Sequence, residues 1–159
     1  MTAPSTVTRS TPVGIKLGNG HSTKIAFAAD TDISFWEVTV TPPGVDGGDS
    51  INITTMHNTT YDQKAPRTLK TLTDASISAA YDPVVYDQIV ALINVETTIT
   101  IIFPNNDKLN FYGYLKNFQP AVLAEGEFPL ADLEIVTTNA DPTTGEEEGP
   151  DYVTAAGTT

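Results

Sequence analysis

The side chains able to do chemistry are few and ill matched in spacing. The two histidines, His21 and His57, sit in neither an H-x-x-x-H nor an H-x-H pattern, the spacings that bring two imidazoles to one metal. The chain has no cysteine, which removes thiolate metal sites, cysteine nucleophiles and disulfides together and suits a reducing compartment. Asp46-Gly-Gly-Asp49 brings two carboxylates to a turn, but a calcium-binding EF-hand loop needs alternating oxygen ligands and a closing glutamate, which this stretch lacks. Asn52-Ile-Thr54 and Asn58-Thr-Thr60 match the glycosylation sequon, a match that a Thr-rich chain reaches by chance. Glu125-Gly-Glu127 has no neighbour in sequence to raise a carboxyl pKa, and Glu146-Glu-Glu148 is a solvating charge run. No nucleophile, base and orienting group combine, so the chain reads as a non-enzyme with no metal and no cofactor.

Charge narrows the partners. Twenty acidic residues against eight basic give a net charge of −12. The last twenty residues hold five of the acids (Asp141, Glu146, Glu147, Glu148 and Asp151), and the remainder is still acidic. Binding a nucleic-acid groove requires clustered Lys and Arg to displace counterions. Here Arg9, Lys16, Lys24, Lys64, Arg67, Lys70, Lys108 and Lys116 are scattered. An acidic surface repels the phosphate backbone instead. Met1–Gly14 carries no apolar run, so it reads as a flexible arm and not as a secretion signal; the longest apolar runs are far too short to span a bilayer, and no membrane insertion is expected.

At 159 residues the chain suits one domain, able to bury roughly two-thirds of its unfolded surface without staples. Ile15-Lys-Leu17 and Lys24–Ala28 are short strand candidates around the turn Gly18-Asn-Gly20. Ile33–Thr41 alternates, with Trp36, Val38 and Val40 on one face, and ends at Pro42-Pro-Gly44; Trp36 is expected in the core. Residues 42–73 form a long polar loop in which only Ile51-Asn-Ile-Thr54 alternates, with Leu69 and Leu72 expected to tuck its far end onto the core. Loops of that length carry function or partner contacts.

The chain is most specific from Asp74 to Phe118. The strand Ala75–Tyr81 is stopped by Asp82-Pro83, where Asp82 can cap a helix and Pro83 occupies its first position without loss of a hydrogen bond. Tyr86, Ile89, Val90 and Ile93 then form one apolar stripe, predicting a helix over about 83–93. Thr97–Phe103 and Lys108–Phe118 are two strands joined by Pro104-Asn-Asn-Asp107, a turn built from residues that preset φ or tolerate the left-handed region. Gly126–Thr138 is the last strand, its first part an edge or bulge at Pro129. Residues 139–159 hold little to bury beyond Tyr152 and Val153 and read as an acidic flexible tail. The sum is a mainly β fold: an antiparallel β-sandwich or barrel, residues 15–138, with one flanking helix over an open end and extended termini.

Several motifs recur in a fixed order. Asp49-Ser-Ile-Asn-Ile-Thr-Thr-Met-His-Asn58 and Pro66-Arg-Thr-Leu69 lead to Asp74-Ala-Ser-Ile-Ser78 and Tyr81-Asp-Pro83. Phe103-Pro-Asn-Asn-Asp107, Phe111-Tyr-Gly-Tyr114, Phe118 with Pro120, and Gly126-Glu127 follow. Together they resemble the major tail tube proteins of long-tailed, siphovirus-like bacteriophages over residues 49–138. Asn105-Asn106 departs from that pattern where the family often has Asp-Gly, and Ala79-Ala80 where an aromatic or β-branched residue is commoner. The resemblance implies a structural protein of the virion tail, assembled in the host cytoplasm as hexameric rings that stack into a tube for genome delivery. Its implied partners are copies of itself and the tape-measure, tail-tip and tail-terminator proteins, with viral DNA passing through without specific binding.

On that reading the loop carries the contacts between subunits, through Asp46, Asp49, Ile51, Ile53, Met56, His57, Tyr61 and Arg67. Glu37, Asp132 and Glu134 are candidates to face the channel, and the edges Ile33–Val40 or Leu130–Val136 to pair with a neighbour. Two rival readings remain. One is a ring protein at the tail end, or the tube protein of a contractile or secretion apparatus. The other is a monomeric β-sandwich module binding a ligand such as carbohydrate through Trp36, Tyr112 and Tyr114.

Overall fold

The computed structural model describes residues 22–30, 33 and 35–155; the arm 1–14, the candidates Ile15–Leu17 and Gly18–Gly20, and His21 lie outside the described residues. In chain order the strands are β1 (Lys24–Phe27), β2 (Glu37–Thr41), β3 (Val45–Asp46), β4 (Ile51–Asn52), β5 (Lys64–Ala65), β6 (Thr71–Leu72), β7 (Ala75–Ala80), β8 (Thr97–Ile102), β9 (Lys108–Pro120), β10 (Leu130–Thr137) and β11 (Asp151–Val153). One helix, α1 (Tyr86–Leu92), is entered through a 3-10 turn at Pro83–Val85.

Seven strands make one sheet in the order β1-β8-β9-β10-β7-β2, with β11 also on β9, and every pairing is antiparallel. The sheet curls into a half-barrel. Its core follows from period-2 patterning. Ala75, Ile77 and Ala79 on β7, Ile99 and Ile101 on β8, and Leu133 and Ile135 on β10 are buried, while Ser76, Ser78, Thr98, Thr100, Asp132 and Glu134 between them point outward. Gly113 lies on the inner face of β9, between Phe111 and Leu115. A Cβ there would run into the Val136 carbonyl oxygen, so this glycine permits the close approach of β9 and β10.

The Asp82 carboxylate accepts the Val84 N–H at 3.0 Å, the expected cap. The buried stripe differs from the expected one: Ile89 and Leu92 are buried, with Val85 and Ile93 packed beside them, while Tyr86 and Val90 are 46% and 45% exposed. Val85, Ile89 and Leu92 make a second apolar stripe at i, i+4 and i+7, and packing on the sheet selects it.

Three expectations are corrected. Trp36 is 74% exposed, not in the core. β2 passes from the pair Glu37↔Ala79 to Thr39↔Ser78, so Val38 is an extra residue; such a bulge inverts the alternation, turning Phe35 and Val40 toward the core and Trp36 and Val38 away. Leu69 is 77% exposed, and only Leu72 tucks in. Leu130–Val136 is not an edge, because β10 lies between β9 and β7; its irregularity falls at Glu134/Ile135, away from Pro129.

Among the described residues β1 and β2 end the strand order, and the curl brings them together. Glu37 Oε1 accepts the Ile25 N–H at 2.9 Å, and the Phe27 and Phe35 rings meet edge-on at 6.0 Å. The seam is closed by side chains.

Candidate functional site

Residues 42–73 are not an irregular loop. β3 pairs with β6 (Val45↔Leu72) and β4 with β5 (Ile51↔Ala65), nearly continuing the register of β2 on β7 (Thr41↔Ser76). Strands β2 and β7 therefore run out of the half-barrel as one two-stranded arm, up to roughly 40 Å long at 3.3 Å per residue. Polar side chains brace it where the ladder lapses. Asp46 Oδ1 accepts the Gly48 N–H at 2.9 Å, and Arg67 Nε donates to the Asp49 carbonyl at 2.9 Å. Thr54 Oγ1 accepts the Gln63 N–H at 2.8 Å, and Asn58 Oδ1 accepts the Thr55 N–H at 2.8 Å.

The arm carries its apolar side chains uncovered. Ile51 is 47% exposed, Ile53 48%, Tyr61 82% and Met56 fully so. Val45 and Leu69, absent from the sequence-based set, are also exposed; nothing in sequence signals this for Leu69, whose spacing from Leu72 suggests a shared tuck onto the core. A two-stranded ribbon is at best marginal in water, and an extended row of exposed apolar groups marks a contact surface. Of the predicted arm residues, Asp46, Asp49 and Arg67 hold the arm's own shape, whereas Ile51, Ile53, Met56 and Tyr61 are free to be covered. His57 is exposed near the tip.

The three candidate channel acids do not share a surface. Asp132 and Glu134 stand on the outer face of β10, in an open groove with Ser76, Ser78, Asn117 and Asp74, and Glu134 pairs with Lys116 at 3.1 Å. Glu37 instead sits opposite buried Ala79 and spends its carboxylate on the Ile25 amide. Trp36 precedes β2, and β10 and β7 separate that strand from Tyr112 and Tyr114 on β9. Among the described residues, no group of three or more His, Cys, Asp or Glu is placed to hold a metal, and no helix is long and apolar enough to cross a membrane.

The stretch 139–155, read in sequence as tail, holds β11. Asp151↔Asn110, Tyr152↔Leu109 and Val153↔Lys108 pair with β9, and Asp107 in the β8–β9 turn accepts both the Tyr152 hydroxyl and the Ala155 N–H. Pairing partners distant in sequence supply what local composition lacks.

No family model and no curated protein matches the chain. In fold it is similar to a chain of the anti-feeding prophage (AFP) baseplate, solved by cryo-EM and 6-fold symmetrised, with a TM-score of 0.51 over 83% of this chain and 91% of that one. At 8% identity the likeness is one of fold.

Proposed function

We propose that this chain is a structural subunit of a phage-type tail. It polymerises through hexameric rings that stack into a tube, and the genome passes through an acidic channel. The role is structural, without a catalytic step or a cofactor. The observation that carries the reading is the arm, whose apolar side chains none of the described residues covers. The fold likeness to a chain of a 6-fold symmetrised baseplate supports a tail-associated location, and the net charge of −12 suits a passage through which DNA slides without adhering. Besides copies of itself, the subunit would meet tape-measure, tail-tip and tail-terminator proteins, assembling in the host cytoplasm before joining the virion tail.

Negative-stain electron microscopy of the purified chain across concentrations tests this. Hollow tubes are expected, and single rings that never stack would favour a baseplate or tail-end ring. Compact monomers at every concentration, with or without a tail-tip complex as initiator, would overturn the reading.

A further inference from the structure

The C-terminal strand is fastened differently from the rest of the sheet. β10 occupies one edge of β9 as far as Thr137↔Gly113, and β11 takes over the same edge at Asn110. The Thr138 N–H bonds the Tyr112 carbonyl at 3.0 Å, so the alternate groups of Asn110 and Lys108 also point to this side. Without β11 they would be a bare strand edge. All three β11 residues are exposed, and the strand is held by its ladder, by Asp107 and by the Tyr152 ring 6.3 Å from Phe103. Only Phe103 among these touches the core, and it does so from the margin.

The connection is far longer than the gap. From Tyr112 to Asn110 the edge advances about 7 Å, yet residues 139–150 intervene, a contour of roughly 40 Å when extended. The excess is folded into a small hairpin of local bonds. Ala140 bridges Glu147, Asp141 N–H donates to the Glu146 carbonyl at 2.9 Å, and Glu148 N–H donates to the Asn139 carbonyl at 2.9 Å, drawing the two ends together. That hairpin holds Asp141, Glu146, Glu147 and Glu148, and residues 139–159 contain no Lys or Arg. Their mutual repulsion opposes the folded spacer. The spacer lies near Tyr112, whose phenol is held above the ordinary value first by burial and then by the charges of Asp141 and Glu148.

We infer that β11 is an exchangeable strand, and that in the assembly its place on β9 and at Asp107 is taken by the C-terminal strand of a second copy, with 139–150 opened as the tether. The inference rests on the self-assembly proposed above. An exchanged strand makes the same ladder and the same Asp107 bonds as its own, so the two states differ only in the spacer and in concentration. The half-barrel need not change.

Because the chain has no cysteine, Lys108→Cys and Val153→Cys, which are register partners on the exposed face, can be placed on separately tagged full-length chains. The two are mixed, assembled, treated with a short bis-maleimide and run on a denaturing gel. A covalent heterodimer in the mixture is expected, with neither chain cross-linking alone, and the doubly substituted chain should give a ladder of multimers. Asn110→Cys with Asp151→Cys repeats the test should the first pair disturb folding. Intramolecular cross-links only, in material that microscopy shows to be assembled, would overturn the exchange while leaving the proposed function standing. Failure to associate at all would remove both.

Discussion

Glu37 and Ile25 join the two edges of the curled sheet through a single hydrogen bond of 2.9 Å. Glu37→Ala leaves a buried amide without an acceptor, a loss of about 1–3 kcal/mol. Glu37→Gln keeps an acceptor and should retain most of that stability, so denaturant midpoints that drop equally for both would show that the bond is not what matters. Gly113 is a sharper case. A methyl group there meets backbone, which cannot yield as a side chain can, so Gly113→Ala should lower stability by about 1–3 kcal/mol, read from chemical denaturation. Tyr152 tests the C-terminal fastening by pH. Its phenol is held above the ordinary 10.0, first by its hydrogen bond to Asp107, then by burial and the Asp107 charge. A raised folded-state pKa means that this stabilisation is fully present below pH 10 and is lost as pH rises through the raised value. An ultraviolet titration should therefore show two late phenols, Tyr112 and Tyr152, of which Tyr152→Phe removes one, with faster exchange of the Ala155 amide over the same range.

The arm is the element on which the proposed assembly turns. Its strands are bound to each other by backbone pairs and by Thr54 and Arg67, with Asp46 and Asn58 fixing local turns; none of these needs a partner molecule, so its apolar groups can be changed without unfolding it. Ile53→Glu with Met56→Glu should leave the circular dichroism and melting of the monomer unchanged while abolishing or sharply shortening tubes under the microscope. Normal tubes from that variant would move the contact surface elsewhere. The arm's antiparallel course could not be read from residues 42–73 alone, because its paired strands are only two residues long and take their register from β2 and β7. The helix was legible, since Asp82 and Pro83 act locally. Its exact buried face was not, because Val85 and Leu92 offer a competing apolar stripe and only packing on the sheet chooses between the two.

At the scale of the whole molecule the acids sort by face. Asp132 and Glu134 lie together on the outer surface of β10, and the Lys116–Glu134 pair is exposed enough to contribute at most about 1 kcal/mol. Replacing both acids with Lys should therefore leave folding and tube assembly intact. If this face lines the channel, genome ejection from particles carrying the variant should slow, and more so at low salt, where attraction to phosphate is less screened. Unchanged ejection would place the channel on another face. Trp36, Tyr112 and Tyr114 do not come together on one strand or on neighbouring strands, so the aromatic platform of a carbohydrate-binding module has no support in this arrangement.

The sequence by itself determined what is local or periodic. Period-2 burial set the inner face of β7, β8 and β10, Pro42-Pro43 ended β2, and Asp82-Pro83 started the helical turn. The run Pro104-Asn-Asn-Asp107 made the hairpin, with Asn106 at a positive φ of 66°. Composition likewise fixed the acidity. Only the tertiary structure decided what depends on pairing between distant segments. One inserted residue at Val38 sent Trp36 outward, and the return of β7 onto β10 made an expected edge into an interior strand. The curl of the sheet drew Glu37 to Ile25 and away from Asp132 and Glu134, and the free edge of β9 with the carboxylate of Asp107 organised a segment whose own residues have nothing to bury.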